Sequence, residues 1–587
     1  MLSEVRSNWS ELVNKELHLM QQEAGIDPSA FVSVSAQVPP KPELGDLAYP
    51  LFTLARGLKK APPVIAAELK DRLEAAPDRP AGRILTAGPY LNIAIDTGAL
   101  ALAVEKRIRE SGDDYGKTDA LAGKRIMVEF SCPNTNKPLH LGHMRNDSLG
   151  ESISAILKAN GAQVMKVNLI NNRGVHICKS MLAYMKFGNG ETPQSSGIKG
   201  DHLVGDYYVK FANWEKTDPT AGAQAQALLE KWEQGDPGTL KLWKMMNDWT
   251  LEGLEESYRN MNISFDRYYY ESDTYKLGKD RILKGLEDGI FYREEDGSVW
   301  VDLADIKLDK KVLLRKDGTS LYITQDIGTA ISRHADWPFD SLIYVVASEQ
   351  RYHFQVLFHV LDKLGYPWAK DLHHLAYGMV FLPEGKMKSR EGTVVDADDL
   401  VAGLSALARG EIFEKQRQDD VDDVDQTSRS IALGAMNYYL LQVDPQRDMV
   451  FNPKESISFN GNTGPYLQYM GARISSMMRK FEAVRGEYDA IGFDPSLLNV
   501  PEERSIIKLV ADFPHVVAKA GEEYNPSVIC AYLYELSKVF SGYYHDNQIL
   551  KADTPALVKA RVQLCAMVLQ VMKNAFALVG IPFLEKM

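Results

Sequence analysis

The stretch SCPNTNKPLHLGHMRN at residues 131–146 concentrates groups that can stabilise negative charge growing on a phosphate. His140 and His143 are three residues apart and so share one face of a helix. Gly142 between them removes a side chain where a flat base could lie against the backbone. Lys137 adds a cation just ahead of the pair. A second cationic run, Gly385-Lys386-Met387-Lys388-Ser389-Arg390-Glu391-Gly392, follows the strand-like Met379-Val380-Phe381-Leu382. Its flanking glycines predict a loop, and its cations suit charge developing on a polyphosphate. Together the segments describe two halves of one nucleotidyl-transfer site. Rival phosphate sites fail on spacing. Gly116-Lys117-Thr118 could end a G-x-x-x-x-G-K-[ST] loop, but Ser111 stands where its first glycine must be. No G-x-G-x-x-G follows the strand, and there is no H-E-x-x-H.

The elements that must position these groups follow from periodicity. Arg125 to Phe130 reads as a strand, a helix runs to Asn160-Gly161, and Val164 to Ile170 reads as a second strand. That βαβ unit predicts a doubly wound, Rossmann-type parallel sheet. A loop leaving the first strand then opens into the crevice where such sheets bind nucleotides, with the N-terminus of the next helix directed at an anion. Leu342 to Ala347, followed by a helix from Tyr352 to Leu364, supplies the second half. A Trp-rich helical segment at about 187–266 is inserted between them.

Three domains are expected. Residues 1–112 form an α+β domain with a helix at Val64–Leu73, a strand at Tyr90–Ile95 and a Pro-rich loop reaching Gly45-Asp46. Residues 113–418 form the α/β domain, with the loop at 385–392. The aspartate run between Asp419 and Asp425 is a solvated connector. Residues 427–587 are an all-α helix bundle, with apolar periodicity at Ile431–Leu441, Tyr466–Met478 and Val558–Val579.

Composition narrows the class. With 587 residues, 45% hydrophobic and 25% charged, the chain is an ordinary globular protein, which excludes disorder and fibre. The charge is −12, from 67 Lys plus Arg against 79 Asp plus Glu, so a nucleic-acid partner requires the bases to gather on one docking surface. Cys132, Cys178, Cys530 and Cys565 form no C-x-x-C pair, which argues against a disulfide framework and a cysteine zinc site. Met1 to Gln22 lacks the apolar run of a signal peptide. Leu564 to Phe583 is interrupted by Gln570, Lys573 and Asn574 and reads as a core helix, so no membrane association and a cytoplasmic location are expected.

The two cationic segments resemble the HIGH and KMSKS signatures of class I aminoacyl-tRNA synthetases, and residues 131–146 are similar to the version found in arginyl-tRNA synthetases. Gly45-Asp46, Asn171-Asn172-Arg173-Gly174, LYITQDIGTA at 321–330, IYVVASEQ at 343–350, GNTGPYLQYMGARI at 461–474 and the ending from Leu578 to Met587 extend the resemblance over nearly the whole chain. It implies an enzyme that joins arginine to ATP as an adenylate, releases pyrophosphate, and passes the arginyl group to the terminal ribose of tRNA with release of AMP. ATP with Mg²⁺, arginine and tRNA are the implied substrates, no protein-bound zinc is implied, and a monomer is expected. The family often needs tRNA bound before it activates arginine.

By the same resemblance His140, His143, Lys137 and Lys386 are catalytic, and Gly142, Met379, Val380, Met387, Lys388 and Ser389 contact ATP. Ser389 stands where KMSKS has its second lysine; many arginyl enzymes share that loss together with a lysine at the place of Lys137, which is expected to supply the missing phosphate contact, with Lys388 secondary. The arginine pocket carries over onto Asn134, Glu271, Tyr322, Asp326 and Gln350. The set suits a guanidinium, a permanently charged planar fork of five donors that needs carboxylates and neutral acceptors. The N-terminal domain resembles the family's tRNA-elbow-binding extension and the bundle its anticodon-binding domain, where Tyr466, Gln468, Tyr469, Arg473, Phe540, Tyr544 and His545 are candidates to meet unpaired bases. The alternatives are an inactive tRNA-binding paralogue and another HxGH nucleotidyltransferase. A cysteinyl enzyme would need zinc ligands, and too few residues separate the two signatures for the editing domain of valyl, isoleucyl and leucyl enzymes.

Overall fold

The structure, a computed structural model, describes residues 1–383 and 395–587. The chain packs as two compact units, one of residues 1–116, 473–517 and 532–574, the other of 117–472, 518–531 and 575–587. The helical C-terminal region thus contributes to both.

In the first unit, strands β1 (Leu47–Pro50), β2 (Gly82–Ala87) and β3 (Tyr90–Ile95) form an antiparallel sheet in the order β1-β3-β2. Helices Leu2–Glu23 and Pro62–Ala75 cover it, burying Trp9, Leu12, Val13, Ile65 and Leu69 against Tyr49, Leu91 and Ile93. Gly45 enters β1 at φ 104°, and a Cβ there would lie 2.6 Å from the Ile93 carbonyl oxygen, so only glycine fits. Asp46 beside it accepts from the Ile95 amide at 2.8 Å and pairs with Lys508 on the helix Pro501–Glu522. The Gly45-Asp46 motif is thereby an element of sheet closure and helix docking.

The second unit is built on a five-stranded parallel sheet. Its strands are β4 (Arg125–Glu129), β5 (Gln163–Ile170), β6 (Arg267–Tyr270), then, after a small antiparallel sheet of β7 (Tyr292–Arg293), β8 (Val299–Val301) and β9 (Lys311–Leu314), β10 (Ser341–Ala347) and β11 (Leu372–Tyr377). The order β11-β10-β4-β5-β6 makes the chain run outward from β4 in one direction and restart at β10 on its other side. Between β4 and β10 lies the switch point where sheets of this kind open a ligand crevice. One face is covered by helices Tyr322–Asp336 and Arg351–Lys363, which pack Ile323, Ile327, Val356, Leu357 and Val360 onto Met127, Val167 and Leu342. The helix Leu141–Ala159 follows β4 directly and is buried along most of its length.

The segment expected as an insertion is helical, with Gly200–Thr217, Ala221–Glu233 and Pro237–Met261 as its main elements. Met379 to Leu382, expected as a strand, forms only a short pairing, Val380–Phe381 with Met449–Val450, outside the main sheet. The helix Pro555–Leu578 is long and apolar enough to cross a membrane by composition, yet Val558, Leu564, Cys565, Val568, Val571 and Met572 are all buried within the protein, as a core helix requires.

Gly150 marks the tightest join between β4 and its helix. A Cβ there would fall 2.1 Å from the Phe130 ring. Gly150→Ala should therefore destabilise the protein by about 1–3 kcal/mol, despite the gain of roughly 1 kcal/mol in helix propensity. Urea unfolding would show it, and a stabilised variant would mean that Phe130 can move aside.

Candidate functional site

The site begins where β4 ends. Ser131 (φ 72°) and Cys132 (φ 48°) both adopt left-handed backbone, a sharp turn unusual for residues with side chains. Side-chain carbonyls hold it: the Ser131 amide donates to Asn146 Oδ1 at 2.6 Å and the Cys132 amide to Asn168 Oδ1 at 3.1 Å. Asn171 donates to the Cys132 carbonyl at 2.9 Å and exchanges backbone bonds with Pro133 and Thr135. The loop 131–139 is thus stitched to the ends of β4 and β5.

His140 lies just before the helix, as its cap, and His143 is its third residue. The expectation that both sit on the helix is corrected in this respect. Their rings pack 3.9 Å apart. The Gly142 amide donates to His140 Nδ1 and the His140 amide to His143 Nδ1, each at 3.2 Å. With both Nδ1 atoms accepting, the neutral rings carry their protons on Nε2. Burial, with Lys137 close by, pushes His140 down to about 3 and holds His143 well below the usual histidine range, its neighbour His140 adding to the effect. Burial also lowers Lys137, whose amine has no partner among the described residues. Gly142 has a role the sequence did not indicate: a Cβ there would meet the His140 ring at 3.0 Å.

Residues 384–394 are outside the described residues, and Lys386, Met387, Lys388 and Ser389 lie among them. The segments on either side are anchored to the histidine turn. After them, Val395 accepts from the Leu141 amide at 3.2 Å and the Ala397 amide donates to Leu139 at 3.1 Å. Before them, the fully buried Arg145 donates to the carbonyls of Gly378 (2.7 Å), Met379 (3.3 Å), Pro445 (3.3 Å) and Arg447 (2.8 Å). Met379, expected at ATP, has its backbone engaged within the protein, its amide donating to Asp448 at 2.7 Å and its carbonyl accepting from Met449. Val380 is buried in the core, so its side chain offers nothing to a ligand.

Beside the turn, a cavity of about 410 Å³ opens at the switch point, with Cys132, Asn171, Tyr322, Asp326, Gln350 and His353 on its walls. Tyr322 and Asp326 are one turn apart on one helix, and Gln350 and His353 line up likewise at the start of another. The buried ion pair of Glu129 with Arg333 lies at its base. Tyr322 and Gln350 are exposed, and Asn134, also exposed, pairs its backbone with Asn171. Glu271 is buried, and burial raises its carboxyl to about 7; the charge of Asp326 reinforces the shift and that of Arg173 opposes it. Arg173 itself is engaged by Glu233 and lies 4.1 Å over the Tyr275 ring. The site therefore holds two neighbouring acids, neither in an ion pair with a Lys or Arg among the described residues.

Comparison with known proteins decides the family. Residues 108–453 match the model of tRNA synthetases class I (R), catalytic domain, residues 467–587 that of the DALR anticodon binding domain, and residues 7–95 that of the arginyl tRNA synthetase N terminal domain. The arginine–tRNA ligase of Treponema denticola is 54% identical over 591 residues, covering 100% of both chains. The chain belongs to the arginyl-tRNA synthetase family. The arginine–tRNA ligase of Borrelia hermsii is 45% identical, again over 100% of both chains. Among solved structures, the Thermus thermophilus arginyl-tRNA synthetase superposes with a TM-score of 0.77 at 26% identity, covering 99% of this chain and 100% of that one. This family membership bears out the class I reading, the Rossmann-type sheet and the helical C-terminal domain.

The candidates for base contact divide. Gln468 is fully buried and donates to the carbonyls of Ser430 (3.0 Å) and Pro582 (2.8 Å), and Phe540 is fully buried among its neighbours. Both are corrected from contact to support. Tyr466 is half-buried. Tyr469 lines a cavity of about 460 Å³ with Lys415, Arg417, Phe459 and the C-terminal Met587. Tyr544 and the exposed His545 line another of about 280 Å³ with Lys480 and Lys551, and the Arg473 guanidinium lies 4.2 Å over the Tyr544 ring. Sequence reading missed His353, Arg145 and Lys415; only His353 left a signal, its position one turn beyond Gln350.

Two outcomes follow from the geometry. Arg145→Met would leave the Gly378 and Arg447 carbonyls without a donor and should cost roughly 2–6 kcal/mol in urea unfolding, at about 1–3 kcal/mol for each; a loss under about 1 kcal/mol would mean that water replaces the guanidinium. Because the folded protein resists protonating His140 and His143 while the unfolded chain takes protons near 6.5, these rings withdraw stability as pH falls below that value, by roughly 1.4 kcal/mol per pH unit for each. Replacing either histidine with Gln should flatten the slope of unfolding free energy between pH 6.5 and 5.5, and an unchanged slope would contradict the assignment.

Proposed function

We propose that the chain ligates arginine to its tRNA in two steps, with the histidine turn and the acidic cavity as the two halves of one active site. ATP use comes with the class, and Mg²⁺ enters with ATP as part of that substrate. The observation that carries the reading is the loop leaving β4, which runs from the cavity wall at Cys132 to the two Nε2–H donors, with Asp326 on that cavity and Glu271 close enough to feel its charge, neither acid in an ion pair with a Lys or Arg among the described residues. A guanidinium supplies the missing charge.

In the first step the arginine carboxylate attacks the α-phosphorus and pyrophosphate leaves. Charge then grows on the phosphate oxygens, and the two Nε2–H groups with the Lys137 ammonium stabilise it more in the transition state than in the ground state. Each such donor is worth about 2.7–4 kcal/mol. The histidines need not exchange a proton, because they are already donors at neutral pH. Lys386 and Lys388 would add positive charge, with Lys137 taking the place of the absent second KMSKS lysine. In the second step the arginyl group passes to the terminal ribose of tRNA. Tyr469 and Tyr544, each beside cations in an open cavity, are the proposed stacking surfaces for unpaired bases. The substrates are water-soluble and the proposed setting is the cytoplasm.

Charging of tRNA with each amino acid in the presence of ATP and Mg²⁺ tests the reading. Arginine should be transferred and lysine should not; transfer of another amino acid, or of none, would overturn it. A second measurement addresses Glu271. Its carboxyl titrates at about 7 without substrate, and an arriving cation favours its ionised form. Arginine binding should therefore release a proton and weaken as pH drops below 7, by up to about tenfold per unit. Calorimetry at pH 6.5 with tRNA present, in buffers of differing ionisation enthalpy, would detect the proton. No release would remove Glu271 from the pocket.

A further inference from the structure

We infer that His353 is a positioning residue for arginine selection, acting through Asp326. The inference rests on the reading of the switch-point cavity as the arginine pocket. His353 Nε2 lies 2.6 Å from Asp326 Oδ2. An ionised carboxylate only accepts, so the imidazole donates. The two residues come from different helices, Tyr322–Asp336 and Arg351–Lys363, and both line the cavity. The imidazole is itself held edge-on to the Phe354 ring at 5.7 Å and 88°. Phe354 in turn packs 4.3 Å from His374 on β11 and 4.9 Å from Tyr344 on β10.

The consequence is directional. One oxygen of Asp326 is committed to His353, which fixes the carboxylate plane and leaves Oδ1 without a partner among the described residues and open to a ligand. A carboxylate fixed in orientation rewards a planar guanidinium, whose N–H directions are fixed as well. A carboxylate free to turn would serve a compact ammonium nearly as well. His353 therefore contributes to the preference for a guanidinium over an ammonium without touching the substrate's reacting atoms. The sequence conceals the pairing because its partners are 27 residues apart on separate helices.

The test compares His353→Ala, His353→Gln and Asp326→Asn in the full-length enzyme with tRNA. His353→Ala should raise the KM for arginine about tenfold, the worth of one oriented hydrogen bond. The kcat at saturating arginine and the KM for ATP should stay within about twofold of wild type, and competitive inhibition by lysine should strengthen relative to arginine binding. His353→Gln, which keeps an N–H donor, should recover most of the loss. Equal loss of kcat and ATP affinity in His353→Ala, or failure of the glutamine to rescue, would overturn the inference in favour of a packing role. Asp326→Asn separates the two levels. If it leaves the KM for arginine unchanged, the pocket reading itself fails; if it raises that KM while His353→Ala does not, only the positioning role fails.

Discussion

A single buried guanidinium holds the catalytic end of the parallel sheet together. Arg145 leaves the first turn of the helix after β4 and spends its donors on backbone carbonyls at Gly378–Met379 and at Pro445–Arg447. Those carbonyls belong to segments that end regular structure and have no ladder partner in the main sheet. Without the guanidinium the Gly378 and Arg447 carbonyls would lack donors, while those of Met379 and Pro445 would keep only the backbone amides of Met449 and Gly378. Burial lowers Arg145 only to about 10, so it remains charged at neutral pH, and the carbonyl dipoles meet a full positive charge. Because Asn146, the next residue, clamps the left-handed turn at Ser131, one turn of helix ties the loop after β4, the residues just before the KMSKS-like segment and the end of β10 together.

Much of this architecture was legible in the chain. The strand and helix boundaries around residues 125–170 followed from periodicity because β4 is buried after its first residue and β5 carries its apolar residues on a mostly covered strand. The histidine motif could be placed because a loop after a first strand has only one crevice to open into. What failed to show was anything set by pairing across the chain. Val380–Phe381 reads as a strand but pairs with Met449–Val450, and no local pattern distinguishes that partner from the central sheet.

Burial was the other blind spot. Gln468 and Phe540 sit on apolar-periodic helices whose inward faces a sequence cannot orient once both faces meet protein. The polar Gln468 is buried because two carbonyls need its amide. Net charge misled for a related reason. A sum over the chain weighs exposed aspartates of the connector equally with Lys415 and Arg417 in a cavity, whereas a partner meets only local charge.

The hydrogen bonds of His140 and His143 carry one more implication. Each Nδ1 lone pair is occupied by a backbone amide and each Nε2 lone pair by a proton. The rings therefore have no basic nitrogen left to offer. They are poor ligands for transition metals and poor targets for electrophiles, including the mixed anhydride of the proposed first step. An imidazole with a free lone pair in the same place could itself be acylated by that anhydride. The backbone of the first helical turn thus acts as a chemical protecting group, leaving the histidines able to donate hydrogen bonds and unable to attack.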